Sequence, residues 1–293
     1  MKPLQDKVAL VAGATRGAGR AIAIELALAG ATTYVTGRST NGSPSPMNRP
    51  ETIEETAELI AASGAKAIAV RVDHTQPPEV AALIERIRRE RAGRLDILVN
   101  DIWGGDPLAQ WGVPFWQHHL EAGLLMQRNA VHSHIITSWY AAPMMIERGS
   151  GLIIEVTDGI TDRYRGSLFY DLAKASVIRL ALAKAEELRP FNVAAIALTP
   201  GFLRSEAMLD HFGVTEATWR EAVQKDENFV VSETPHYIGR AVVALASDPG
   251  IMRKSGQALA TWNLAREYGF TDLDGSKPDW GRHAREKLGL DMG

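Results

Sequence analysis

Residues 7–30 constrain the fold of this chain more tightly than any other stretch. Lys7-Val-Ala-Leu-Val-Ala12 is a short apolar run that reads as a buried strand. Gly13-Ala-Thr-Arg-Gly17-Ala-Gly19 follows, and Arg20 to Leu28 reads as a helix ending at Gly30. Glycines between a strand and a helix let backbone N–H groups approach a pyrophosphate at the helix N-terminus. A plain glycine-rich turn lacks those flanks, so Gly13, Gly17 and Gly19 are assigned to a nucleotide-phosphate site.

Ala31-Thr-Thr-Tyr-Val-Thr36, rich in β-branched residues, is the second strand and ends in Gly37-Arg38. Dinucleotide folds that prefer NAD place a carboxylate near this point for the ribose 2′-hydroxyl. Here Arg38 stands there, and Arg16 lies in the glycine turn. Two guanidiniums suit a 2′-phosphate, which favours NADP over a pair of solvated surface arginines.

The rest of the chain keeps alternating. Ser39 to Pro50 is a long polar loop, and Glu51 to Ser63 reads as a helix. A third strand, Lys66 to Val72, ends in Asp73-His74; a helix over Glu79 to Arg91 comes next. Leu95 to Val99 is a fourth strand closed by Asn100-Asp101. Helices over Asn129 to Arg148 and Thr234 to Ser247 accompany a fifth strand from Gly151, a sixth over Asn192 to Leu198 and a short last one over Gln257 to Thr261. Strands alternating with helices of about 10–15 residues predict an α/β fold with a doubly wound parallel sheet. The tail from Trp262 to Gly293 is polar and reads as an appendage or assembly arm rather than a second domain.

Composition narrows the function. The net charge of −3 gives no electrostatic case for nucleic acid or an acidic membrane surface. The absence of cysteine excludes disulfide and thiolate chemistry. No apolar h-region follows the N-terminus, and apolar runs stop short of a membrane span, so a soluble cytoplasmic protein is expected. His118, His119, His132 and His134 lack partners at zinc-like spacing, so no metal is expected. Ile102 to His119 holds Trp103, Trp111, Phe115 and Trp116, which either wall a ligand pocket or pack over the sheet.

Gly166-Ser-Leu-Phe-Tyr170-Asp-Leu-Ala-Lys174 opens an apolar, alanine-rich run from Leu172 to Leu188. In a helix, residues four apart share a face, so a phenol sits one turn from an ammonium. A cation about 4 Å away, at an effective dielectric of ~20, lowers a phenol by roughly three pKa units before screening. Such a pair supplies a general acid or base near neutral pH. An ordinary amphipathic helix with one Tyr and one Lys is the alternative; the glycine turn weighs against it.

Gly13-x-x-x-Gly17-x-Gly19, Asn100 after the fourth strand, Tyr170-x-x-x-Lys174 and Pro200-Gly201 after the sixth lie in that order at familiar separations. From about Lys7 to Thr261 the chain resembles the short-chain dehydrogenase/reductase family. Gly93 to Asn100, Ala241 to Pro249 and Leu264 to Gly269 resemble one branch of it more closely. The resemblance implies one Rossmann-type domain over 1–261, with a sheet of about seven strands, and a C-terminal extension over 262–293. It implies a nicotinamide cofactor, which the two arginines make NADP, with Thr15, Arg16 and Ala18 along the turn, Asp73 with His74 beside the adenine, and Asn100 near the adenosine ribose. Lys174 would hold the nicotinamide ribose and polarise Tyr170, the acid/base. Phe202 and Ser205, after Pro200 and Gly201, match positions that orient the carboxamide. Homo-dimers or tetramers are usual in the family.

Three departures from the family stand out. The usual Asn-Asn-Ala-Gly reads Asn100-Asp101-Ile102-Trp103-Gly104, and the helix asparagine is displaced, with Ala130 at the matched position and Asn129 beside it. The catalytic serine is absent: aligned through the fifth strand its place holds Asp158, and counted back from Tyr170 it holds Thr157. Thr157 is expected to supply the substrate hydrogen bond if the usual spacing holds. The competing reading puts Asp158 itself there: kept protonated by burial it could donate to a carbonyl oxygen, whereas ionised it can only accept and favours a cationic or hydroxyl-bearing substrate. The expected activity is hydride transfer between a nicotinamide and a carbonyl or alcohol, with an apolar or aromatic substrate. A non-catalytic nucleotide sensor or scaffold and a lyase or epimerase are the rival readings.

Overall fold

The computed structural model describes residues 2–45 and 47–292. Seven strands, β1 (Val8–Ala12), β2 (Thr32–Gly37), β3 (Ala67–Arg71), β4 (Ile97–Asn100), β5 (Gly151–Val156), β6 (Val193–Thr199) and β7 (Ala258–Ala260), form one sheet in the order β3-β2-β1-β4-β5-β6-β7. Every pairing is parallel, in registers such as Leu10↔Tyr34 and Leu10↔Leu98. The expected doubly wound α/β architecture is therefore present, with strand bounds within two residues of those read from the sequence except at the end of β5, which stops at Val156 rather than running on to Gly159.

The strands are apolar on both faces because helices cover both. Ala9 and Val11 join Ile22, Leu26, Ile238 and Val242 in one core. These residues come from α1 (Gly17–Leu28) and α8 (Pro235–Ser247), with α2 (Ile53–Ala62) beside them. Val8 and Leu10 point the other way, to Val80, Ile87, Met144 and Leu188. That side belongs to α3 (Pro77–Glu90), α5 (Ser133–Arg148) and α6 (Leu168–Leu188). Strand order reverses between β1 and β4, the switch point at which such sheets bind ligands beyond their carboxyl ends.

The helix expected over Asn129 to Arg148 begins earlier. Helix α4 (Leu120–Gln127) runs through a π turn over Arg128–His132 directly into α5. Gly123 lets α4 cross α6 closely, since a Cβ there would meet the Phe169 ring at 2.3 Å. A short α7 (Glu206–Phe212) comes after β6. Thr261, expected to end the last strand, instead starts α9 (Thr261–Tyr268). In the tail, α10 (Trp280–Leu288) lies against buried Trp262, and Gly281 is the close point, 2.4 Å from the indole nitrogen for an added Cβ. Among the described residues no helix is long and apolar enough to cross a membrane.

Helices α1 and α8 meet at Gly239, where a Cβ would lie 2.7 Å from Glu25 Cγ and 2.9 Å from the Ala21 carbonyl oxygen. The backbone carbonyl cannot yield. Gly239→Val should cost about 1–3 kcal/mol through overpacking, read as a lower midpoint in chemical denaturation. An unchanged midpoint would mean that the two helices have room to part.

Candidate active site

A cavity of about 620 Å³ opens beyond the carboxyl ends of the strands and is lined by both the glycine turn and the start of α6. On the glycine side, backbone packs on backbone. Gly13 has φ +92°, and a Cβ there would lie 2.4 Å from the Asp101 carbonyl oxygen; one on Gly19 would lie 2.2 Å from the Gly13 carbonyl oxygen. Gly13, Thr15, Arg16, Gly17 and Ala18 line the cavity, while Gly19 lies buried beneath them as the packing contact.

Three arginines reach this half of the cavity. Arg38 lies 3.9 Å from the Asp73 carboxylate, and Arg16 donates to Ser45 Oγ at 3.3 Å and lies 3.7 Å from Glu51. The buried Arg16 Nη1 has no hydrogen-bond partner among the described residues. Arg49, from the loop before α2, joins them and pairs with Glu51 at 2.5 Å and Asp210 at 2.9 Å. Sequence reading missed Arg49 because nothing in an irregular loop fixes where a residue eleven positions past Arg38 returns. An orphaned guanidinium N–H, a backbone cradle at a helix N-terminus and clustered arginines fit a phosphorylated dinucleotide.

Other expected contacts fall out differently. Asp73 lines the cavity and accepts from Thr75 N–H at 2.9 Å and from the Thr75 hydroxyl at 2.7 Å. His74 only borders it: its ring is held between Thr36 Oγ1 and Thr137 Oγ1, both at 2.8 Å, and burial lowers its pKa to about 3, keeping it neutral. Asn100, expected near the adenosine ribose, points instead into the interior. Its amide donates to Ser138 Oγ at 3.0 Å and Glu155 Oε1 at 2.9 Å, and it does not line the cavity. It is drawn there because Glu155, on the neighbouring strand, is buried and collects donors.

Helix α6 starts where Gly166 turns with φ +84° and Asp171 reaches back to the Arg165 N–H at 3.2 Å and Nη1 at 2.8 Å. Its first turns present Tyr170 and Lys174 to the cavity. The Tyr170 hydroxyl donates to Asp158 Oδ2 at 2.7 Å. Thr157, the expected hydrogen-bond donor to substrate, instead donates to the Lys174 carbonyl at 2.9 Å. The strand explains the exchange. Thr157 shares with Glu155 the face turned toward α6, and β5 ends at Val156, so Asp158 is free to turn inward.

The expected lowering of the phenol pKa is not met. Burial first, and then Asp158, push Tyr170 far above the ordinary tyrosine value. Lys174 turns its ammonium to the Trp103 indole, 3.8 Å from the ring centroid, against 5.6 Å for the Tyr170 ring. Burial lowers the Lys174 pKa, against the pull of Asp158 and Asp101. Trp103 and Trp111 flank the phenol at 5.4 and 5.0 Å between centroids, whereas Phe115 and Trp116 are exposed. Trp103 thus meets the pocket reading, Trp111 is itself half exposed beside the phenol, and neither Phe115 nor Trp116 packs over the sheet. Asn129 lines the cavity beside Gly104, and Ala130 is buried in the core.

Pro200, Gly201 and Phe202 form the far wall. The Gly201 N–H donates to Glu233 Oε2 at 2.9 Å, and the Phe202 ring packs on Phe229 and Trp280. Ser205 caps α7 through the Met208 N–H. Glu206, beside it, accepts from the Gly17 N–H at 2.9 Å, so a carboxylate from α7 rests on the glycine turn.

Residues 7–212 match the family model described as short chain dehydrogenase. The dehydrogenase/reductase SDR family member 1 of Mus musculus is 35% identical over 277 residues, 93% of this chain and 85% of that protein. Its Homo sapiens counterpart is 33% identical over 276 residues, with the same coverage of both chains. This is the branch that Gly93 to Asn100, Ala241 to Pro249 and Leu264 to Gly269 resemble. A structure of a candidate NAD(P)-dependent gluconate 5-dehydrogenase from Beutenbergia cavernae, with NADP bound at low occupancy, superposes with a TM-score of 0.70 at 25% identity, covering 88% of this chain and 96% of that one.

Two buried acids give the fold a pH dependence. Burial raises Asp101 to about 7, against the pull of Lys174, and raises Glu233 to about 8. A carboxyl whose folded pKa is raised stabilises the fold below its unfolded pKa and loses that contribution as pH climbs through the folded value. Thermal midpoints should therefore fall between about pH 5 and about pH 8, and Asp101→Asn should flatten part of that fall. Equal slopes for the native chain and the variant would remove Asp101 from the account.

Proposed function

The chain belongs to the short-chain dehydrogenase family, and on that footing we propose that it is an NADP-dependent oxidoreductase acting on a carbonyl or alcohol. The observation that carries this reading is that Tyr170 and the glycine turn line one cavity. The cofactor, when bound, supplies or takes up the hydride. Thr15, Arg16 and Ala18 would hold its pyrophosphate, Arg16, Arg38 and Arg49 its 2′-phosphate, and Asp73 its adenine. Lys174 would leave Trp103 for the nicotinamide ribose, with Pro200, Gly201, Phe202 and Ser205 beside the carboxamide. In the reducing direction Tyr170 gives its phenol proton to the substrate oxygen, and in the oxidising direction it takes that proton back. Asp158 stands at the serine's place, within hydrogen-bond reach of the phenol.

The aromatic walls Trp103, Phe202 and Trp280 support an apolar or aromatic substrate. Exposed Leu120, Leu124, Ile135, Trp139 and Leu172 on α4, α5 and α6 support a homo-dimer or tetramer, and we place the protein in the cytoplasm. One observation favours the sensor reading instead: the phenol proton is held by Asp158 and the ammonium by an indole.

NADPH should bind more tightly than NADH in fluorescence titrations. Arg38→Ala or Arg49→Ala should each cost NADPH roughly tenfold or more, the loss of one charge-assisted phosphate contact, with little effect on NADH. Equal native affinities would sink the NADP assignment. Tyr170→Phe should abolish turnover and leave NADPH binding intact, while Thr157→Val, which loses only a bond to backbone, should retain most activity. Native-rate turnover by the Phe variant would exclude the phenol as the acid, and NADPH binding without turnover of any ketone or alcohol by the native protein would favour the sensor.

A further inference from the structure

Besides Lys174 and Thr157, the substrate half of the cavity carries carboxylates and aromatic rings. Asp158 and the exposed Asp106 line it together with Trp103, Phe202 and Trp280. The cavity's arginines, Arg16, Arg38 and Arg49, belong to the nucleotide half. The guanidinium of Arg165 is engaged by the Asp171 carboxylate at 2.8 Å and by the Asp158 backbone carbonyl at 2.6 Å. Asp106 fixes the Trp103 ring by accepting its indole N–H at 2.6 Å, and that ring already seats one ammonium, that of Lys174.

Resting on the oxidoreductase reading above, we propose that the substrate carries a cationic nitrogen close to its reacting carbon, as in an amino ketone or amino alcohol, and that Asp158 receives this nitrogen while Tyr170 serves the oxygen. A phenol has one proton to donate, and here Asp158 holds it. A neutral ketone brings no donor. To reach its oxygen, Tyr170 must leave Asp158, and the carboxylate loses a hydrogen bond with nothing in exchange. An ammonium brings N–H donors to Asp158, releases the phenol proton and sets positive charge beside a phenol that burial and Asp158 hold protonated. Aromatic faces attract the same cation. An anionic substrate meets like charge.

The redox step balances without the nitrogen taking part. In reduction the carbonyl carbon receives the hydride given up by the reduced nicotinamide, which becomes oxidised, and the C=O π pair takes the Tyr170 proton to complete the alcohol. The ammonium leaves unchanged.

The test reads binding to the NADP⁺ complex by tryptophan fluorescence, using three aryl ketones of matched shape. 2-(Dimethylamino)acetophenone is cationic at a pH where its amine is protonated, isovalerophenone is its neutral isostere, and benzoylacetate is anionic. The ammonium ketone should bind about tenfold or more tighter than the isostere, with benzoylacetate weakest. Asp158→Asn and Asp158→Ser, both checked for native NADP⁺ affinity, should each erase that preference. Equal or tighter binding of the isostere, a preference that survives both substitutions, or no binding of the ammonium ketone at millimolar concentration overturns the proposal. The predicted binding order without turnover of any of the three supports the proposal while counting against the oxidoreductase reading.

Discussion

The backbone of Gly13 occupies the space that a side chain on Gly19 would need, and the backbone of Asp101 fills the space beside Gly13, at 2.2 and 2.4 Å from the added atoms. This contact fixes how closely α1 stands to the ends of β1 and β4. The N–H groups of the helix start are thereby aimed into the cavity rather than into the core. The same contact sets the path of the chain beyond β4. Asp101 is pressed against α1, Ile102 gives its carbonyl to His134 Nε2 at 3.1 Å, and Trp103 emerges beside Lys174. The glycine cradle and the wall beside Tyr170 are two sides of one backbone contact.

Within that frame, the state of the phenol is decided by distance. Lys174 shares a helix face with Tyr170, but a lysine stem is long and its ammonium goes to the nearest electron-rich surface, which is Trp103. Asp158 is nearer to the phenol oxygen and opposite in effect. Burial adds to Asp158, because it too disfavours a tyrosinate. The site thus holds a phenol whose proton burial and Asp158 both retain.

Features set by local pattern were legible in the sequence. Strand runs such as Val8–Ala12 and Val193–Thr199 are apolar on both faces, and the glycine turn sits between regular flanks, so topology could be read directly. Tyr170 and Lys174 were legible because helical spacing puts them on one face and the glycine turn gives that pair a context. Asn100 was misplaced because its destination depends on Glu155, 55 residues later, which no local pattern reveals. Arg49 and Glu206 reach the cavity from irregular or short segments by long-range pairing, Glu206 across 189 residues to Gly17. Residues 120–128 were not legible in the sequence because what carries the chain there is not local: Gly123 packs on the Phe169 ring, and a π turn at Arg128–His132 joins α4 to α5.

Glu155 and Asp158 lie three residues apart at the end of one strand, and the structure treats the two carboxylates in opposite ways. Burial pushes Glu155 upward, yet Lys184 at 2.5 Å and His134 Nδ1 at 2.7 Å outweigh it and hold the group ionised, at about 2. Removing one partner from such a cluster strands a buried charge, which is why buried ionic groups come fully partnered. The cluster ties β4, β5, α5 and α6 together behind the site and, through His134, anchors the carbonyl of Ile102 next to Trp103. Asp158, past the strand end, is instead partly exposed and faces the cavity, with the Tyr170 hydroxyl as its partner. Glu155 is thus held by donors from three elements, whereas the donor that Asp158 has is the one group the proposed reaction would move. On the proposed reading, the group that an incoming molecule offers to Asp158 decides whether the proton can be released.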